Sequence, residues 1–270
     1  SLTRFNDDNT RASSRINADN GGTIETPNLE NLNAVSLTLN NNVSLDAEQI
    51  TSITNGGLTV DGTAVNLSNI TNVSGSTVTL QGGGTANLSN LSNIDRASIF
   101  VNAVPLELPQ VTSYEGASFD TFIRATGTNG SIDLSSLVTL SGGTSFDDEL
   151  FIEASNGSID LSNLTDITGG ATRVIADGTN SNIDLSSLTR FNDDNTRASS
   201  RINALNGGTI DLDQLSEIPG DVLPITAVGT TSIIELFQIS ESSSSITPSE
   251  ESGGDIIFLE EAPDEPSNPP

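Results

Sequence analysis

A nine-residue frame, apolar at its first, third, sixth and ninth positions, recurs along this chain and constrains its fold more than any other feature. Its clearest copy is Ile159-Asp160-Leu161-Ser162-Asn163-Leu164-Thr165-Asp166-Ile167. The same frame reads Ile24…Thr26…Leu29…Leu32, Val65…Leu67…Ile70…Val73, Ala86…Leu88…Leu91…Ile94 and Leu106…Leu108…Val111…Tyr114. It continues as Ile132…Leu134…Leu137…Leu140, Ile183…Leu185…Leu188…Phe191 and Ile210…Leu212…Leu215…Ile218, with a worn copy at Ile234…Leu236…Ile239. Val43…Leu45…Ile50…Ile53 fits if two residues are inserted. Unit starts lie about 19 to 27 residues apart, the range of stacked-repeat folds, in which no unit buries its apolar side without a neighbour.

A second apolar stretch follows each frame, as in Val35-Ser36-Leu37-Thr38-Leu39, Val78-Thr79-Leu80 and Ile99-Phe100-Val101. These are short, rich in β-branched residues and alternate with period two, so they read as strands. Asn55-Gly56-Gly57, Gly82-Gly83-Gly84, Asn156-Gly157 and Asn206-Gly207-Gly208 separate them and supply corners, because Gly and Asn adopt positive φ at low cost. Within the frame, alternation breaks between positions three and six at Ser-Asn or Ser-Ser, which predicts a bend. Together these signals predict an all-β chain, a parallel β-solenoid of about ten coils over residues 1–240, with coils ~4.8 Å apart. A leucine-rich-repeat horseshoe is the competing fold, but its Leu-x-Leu step and Asn or Cys ladder are absent.

Residues 241–270 break the pattern. Seven of the ten prolines follow residue 218 and no basic residue follows Arg201. Ser240 to Ser252 reads as a Ser-rich linker, residues 255–261 as one strand, and the remainder as an extended acidic tail. The 255–261 strand is expected to close the solenoid as a last coil, or else to be donated to another molecule's open edge.

Composition removes whole classes of chemistry. The chain has no Cys, His, Met or Trp, and its nine basic residues are all Arg against 36 acids, a net charge of −27. There is therefore no thiolate, imidazole base, Schiff-base lysine or zinc set of the common kinds. The charge repels nucleic acid and anionic lipid, and no apolar run is long enough to insert in a membrane. Some β-solenoids cleave polysaccharides with carboxylate pairs, but a chain without Trp and with one Tyr lacks the usual sugar-stacking platforms, so no enzymatic activity is expected. No signal-peptide pattern opens the sequence, so an exported protein would be represented here by a processed or excised piece.

Three features are candidate sites. Position two of the frame is acidic in six consecutive units: Glu107, Asp133, Asp160, Asp184, Asp211 and Glu235. Stacked coils would bring these into one outward column, either a solvated acidic face or a file bridged by calcium, which favours all-oxygen ligation. Second, Ser1–Ala18 is identical to Ser187–Ala204, and Asn20–Ile24 to Asn206–Ile210. This long period implies either tandem duplication or a first coil that stacks head to tail on a neighbouring molecule. Third, six of the nine arginines lie in the two copies, beside Asp7-Asp8 and Asp193-Asp194. Local ion pairing is expected there; the alternative is a recognition patch, including Arg190 and Arg197, for acidic glycans or a neighbouring chain. Asp147-Asp148-Glu149 reads as a solvated loop.

The Gly-x-Ile-Asp-Leu-Ser-Asn-Leu-Thr frame with its Gly-Gly corners resembles the β-strand-repeat regions of large secreted or surface proteins of aquatic bacteria. It is more distantly similar to the β-helical shafts of filamentous-haemagglutinin-type adhesins. The resemblance covers roughly residues 1–240 and implies an extracellular or cell-surface location and a structural or adhesive role. From the duplicated segment and the arginine loops, the expected partners are copies of the chain itself or neighbouring repeats, and surface glycans.

Overall fold

The computed structural model describes residues 2–7, 14–46, 49–145, 147–194, 200–219, 222–236, 239 and 245–258. It is a parallel β-solenoid of three faces, and no helix occurs among these residues. The long face is one eleven-stranded sheet. It runs from Ser14–Ala18 through Val35–Asn40, Gly57–Asp61, Thr77–Gln81, Ser98–Asn102 and Thr121–Thr126, then Glu149–Ser155, Ala171–Asp177, Arg201–Leu205 and Leu223–Val228, to Ile246–Glu251. Every neighbouring pair is parallel and in register, so each coil hydrogen-bonds to the next along the axis.

The first three positions of each frame form the second face. Its longest sheet has seven strands, Pro105–Glu107, Ser131–Asp133, Ser158–Asp160, Asn182–Asp184, Thr209–Leu212, Ile233–Leu236 and Asp255–Phe258. Thr23–Glu25 pairs with Ser44–Asp46, and Ala64–Asn66 with Thr85–Asn87, in the earlier coils. Position nine lies on the third face, in short strands such as Ser113–Tyr114, Thr139–Leu140, Asp166–Ile167 and Arg190–Phe191.

The apolar frame points inward as its spacing requires. Ile159, Leu161, Leu164 and Ile167 are all buried, and so are Leu106, Leu108, Val111 and Tyr114. Alternate residues of the long face, such as Ile152 and Ala154, fill the same core. Each buried Leu or Ile contributes about 1.5–3 kcal/mol relative to exposure, and its contacts come mainly from the coils above and below. The corners behave as Asn-Gly chemistry demands. Asn55 has a φ of 52° and Asn156 a φ of 52°. Gly56 stands so close to the coil before it that a Cβ there would lie 2.2 Å from the Val35 carbonyl oxygen.

Two expectations change. Ile24 pairs with Leu45, so Leu45 rather than Val43 starts its frame, and Leu45…Ile50…Ile53 needs no insertion. The Ser-rich segment is not all linker, because Ile246–Glu251 is an eleventh long-face strand and Asp255–Phe258 extends the second face. Thr-Pro-Ser-Glu-Glu has poor strand propensity, and pairing with the edge of Leu223–Val228 overrides it. Residues 259–261 lie outside the described residues.

Candidate functional site

The position-two acids do form one column. Register pairs Glu107 with Asp133, Asp133 with Asp160, Asp160 with Asp184, Asp184 with Asp211, and Asp211 with Glu235. It stops there, since Glu235 pairs onward with Ile257.

Each aspartate also does a local job that composition does not reveal. Its Oδ1 accepts the backbone N–H two residues on: Ser135 to Asp133 at 2.9 Å, Ser162 to Asp160 at 2.9 Å, Ser186 to Asp184 at 3.0 Å and Asp213 to Asp211 at 3.1 Å. These Asx turns produce the bend between positions three and six, closed by bonds such as Leu164 N–H to the Leu161 carbonyl at 2.8 Å. Glu107 has Pro109 two residues on, which offers no N–H, so a longer carboxylate sits there without forfeiting a cap.

In the preceding coils the same position is Asn66 and Asn87, paired in register. Asn87 Oδ1 accepts from Ser89 N–H at 3.1 Å, and Asn87 Nδ2 donates to Asn66 Oδ1 at 3.0 Å. The column is therefore a row of turn caps first and an acidic row second. The sequence signal was the exchange of Asp for Asn before a constant Leu-Ser or Leu-Asp.

The end of the column differs from its middle. Carboxylate oxygens of Asp211, Asp213 and Glu235 lie within 4.8 Å of one another, and all three residues are half-buried. Asp213 Oδ1 is buried with no hydrogen-bond partner. Burial raises the Asp211 carboxyl above the ordinary carboxylate range. The charges of Asp213, Asp184 and Glu235 push the same way, against the lowering effect of the Asp213 N–H. Of the six column residues, the structure gathers only Asp211 and Glu235 into a group of three carboxylates, and it adds Asp213, which no column position pointed to. Hard-oxygen ligation of this kind suits calcium.

The arginines are distributed differently from the expected loop patch. Arg190 reaches Asp166 of the coil before it at 3.3 Å and Glu217 of the coil after it at 3.9 Å. Arg197, Arg11 and Asp8 lie outside the described residues. Asp193 Oδ2 accepts from Ser200 N–H at 2.8 Å, and its duplicate Asp7 accepts from Ser14 N–H at 2.7 Å, so both copies pin the base of their loop alike. Glu149 does not sit in a solvated loop: it is buried at the start of a long-face strand and pairs with Arg173 at 2.5 Å.

Composition also hid an aromatic file. Phe122 stacks on Phe151 with centroids 4.8 Å apart and meets Phe100 at 5.7 Å, on the outside of the long face. The Arg124 guanidinium lies over Phe122 and Phe100, and Arg173 over Phe151. The arginines cover these rings, so the file braces the sheet instead of offering open platforms.

Comparison with known protein families, curated proteins and solved structures gives no match.

Proposed function

We propose that the chain is an extracellular, non-enzymatic structural module, a shaft or spacer within a surface adhesin or fibre. The observation that carries this reading is the unbroken register of the eleven-stranded face, which ties every coil to the next through backbone hydrogen bonds over one continuous core. Such a rod holds two attached parts at a set distance, and its acidic exterior keeps it soluble in salt. The resemblance of the frame to β-strand-repeat surface proteins supports the location.

The absence of Cys allows a direct test, because two spin labels can be placed alone. Asn17 and Ser249 occupy one outward column on the first and last strands of the long face. Ten strand spacings separate them, about 48 Å. Asn17→Cys with Ser249→Cys is expected to give a narrow distance distribution near that value in electron-electron resonance. A broad distribution would contradict a rigid spacer.

A second reading is favoured by the unpartnered Asp213 oxygen: the end of the column binds calcium and stiffens the last coils. Calcium is then expected to raise the melting temperature of the chain by several degrees, and Asp213→Ala to abolish that rise. An identical melting curve with calcium and with chelator would argue for plain solvated acids.

A further inference from the structure

The duplicated segment places one sequence in two settings, and the setting of the second copy identifies what fits the first. In the second copy, Leu188, Phe191, Ile202 and Ala204 are all fully buried. The coil before it covers them: Ile167 pairs with Phe191, Val174 with Ile202 and Ala176 with Ala204. Backbone N–H groups of Thr189 and Asn192 donate back to the Thr165 and Ile167 carbonyls at 3.0 and 2.8 Å, and Arg190 meets Asp166. In the first copy the matching strands Arg4–Asn6 and Ser14–Ala18 each have, among the described residues, a partner on one edge only. Leu2 is 64% exposed where Leu188 is 0%, and Phe5 and Ile16 are half-covered.

The opposite side of the solenoid is finished differently. On its last long-face strand, register places Pro248 against buried Ile225 and Glu250 against buried Ala227, so both occupy core-facing positions of the ladder. Glu250 Oε1 folds back to accept Ile256 N–H at 2.8 Å. Proline and a core-facing charge are devices that blunt a sheet edge against further pairing.

We infer that the edge formed by residues 2–7 and 14–18 is a docking surface for a parallel coil of this repeat class. That coil is built like Ser158–Asp177, with an apolar residue over Phe5, another over Ile16 and an acid opposite Arg4. The blunted Ile246–Glu251 edge of a second copy is not its partner. The inference deepens the shaft reading, by naming what the first coil joins. A rod that refuses the added coil would end this inference and leave that reading standing, whereas a broad spin-label distribution would end that reading first.

The test is a full-length chain extended by a second copy of Ser158–Ser186 placed directly before Ser1. Hydrogen exchange at Thr3, Asn6 and residues 14–18 is compared with that of the unextended chain, using residues 223–228 as an internal reference for folding. Exchange at the edge is expected to slow by about 100-fold or more, toward the rates of Thr189, Asn192 and 200–204. The same extension carrying Ile167→Asp and Val174→Asp in the added segment alone is expected to leave edge exchange unchanged. Unchanged exchange in the first extension, or equal slowing in the second, would overturn the inference. Concentration-dependent end-to-end growth of the unextended chain in sedimentation would overturn it too, by giving the surface to a second copy's tail.

Discussion

The coils of residues 57–102 and those of residues 105–236 use the same apolar frame and stabilise its outside in opposite ways. The earlier coils are tight: Gln81 bonds to Asp61 from 20 residues away and Asn87 to Asn66 from 21. Their long-face strands have 5 residues, and their position-one side chains, Val65 and Ala86, are only half-buried. The later coils are larger, with Thr172 bonding to Ser200 over 28 residues, strands of up to 7 residues, and Ile132, Ile159, Ile183 and Ile210 fully enclosed at position one. Asn87 at position two both caps the turn and donates to the coil before it. An Asp caps the turn as well but has no hydrogen to donate, so its neighbours repel it. The difference separates two functions of one position: capping, common to both regions, and laddering, confined among the described residues to the first.

Substitutions at that position separate the two functions. The largest effect is expected from Asp133→Ala, Asp160→Ala and Asp184→Ala together. This removes three charge-assisted caps worth ~1–2 kcal/mol each, so urea unfolding should show a loss of several kcal/mol. The matching triple Asn variant keeps every acceptor and should be at least as stable as the parent. A loss equal to that of the Ala triple would mean that charge, and not capping, holds the turns. Asn87→Asp should cost about 1 kcal/mol by the same measurement and make stability salt-dependent, because it deletes the ladder bond and leaves two acceptors facing. The smallest effect belongs to Asp211→Asn. The folded chain holds the Asp211 proton more tightly than the unfolded chain does. Its favourable contribution is therefore complete below the ordinary carboxylate range and lost as pH rises through the raised value. At neutral pH Asp211→Asn should raise stability by ~0.5 kcal/mol, with no gain at acidic pH, as read from melting temperature against pH.

The inward frame, the strand-forming second stretch and the Asn-Gly corners were legible in the sequence because each follows from one-dimensional spacing. The position-two column was legible too, since register in a stacked repeat follows from the frame. What escaped depended on partners distant in sequence. Asp213 looks like an ordinary turn residue until the coil carrying Glu235 is laid beside it. The Phe100, Phe122 and Phe151 file needs coil lengths to be known before its rings can be aligned. Thr-Pro-Ser-Glu-Glu becomes a strand only because Leu223–Val228 offers it an edge, a tertiary influence that propensity does not contain.

The most direct test of the shaft account is to delete one coil and measure the rod. Removing residues 159–182 joins Ser158 to Ile183, which is register-equivalent to Ile159. In the Asn17→Cys, Ser249→Cys background, the account predicts a folded chain whose spin-label distance shortens by about 4.8 Å, one strand spacing, with the distribution still narrow. An unfolded chain, an unchanged distance or a broadened distribution would contradict a rod built of interchangeable, neighbour-stabilised coils.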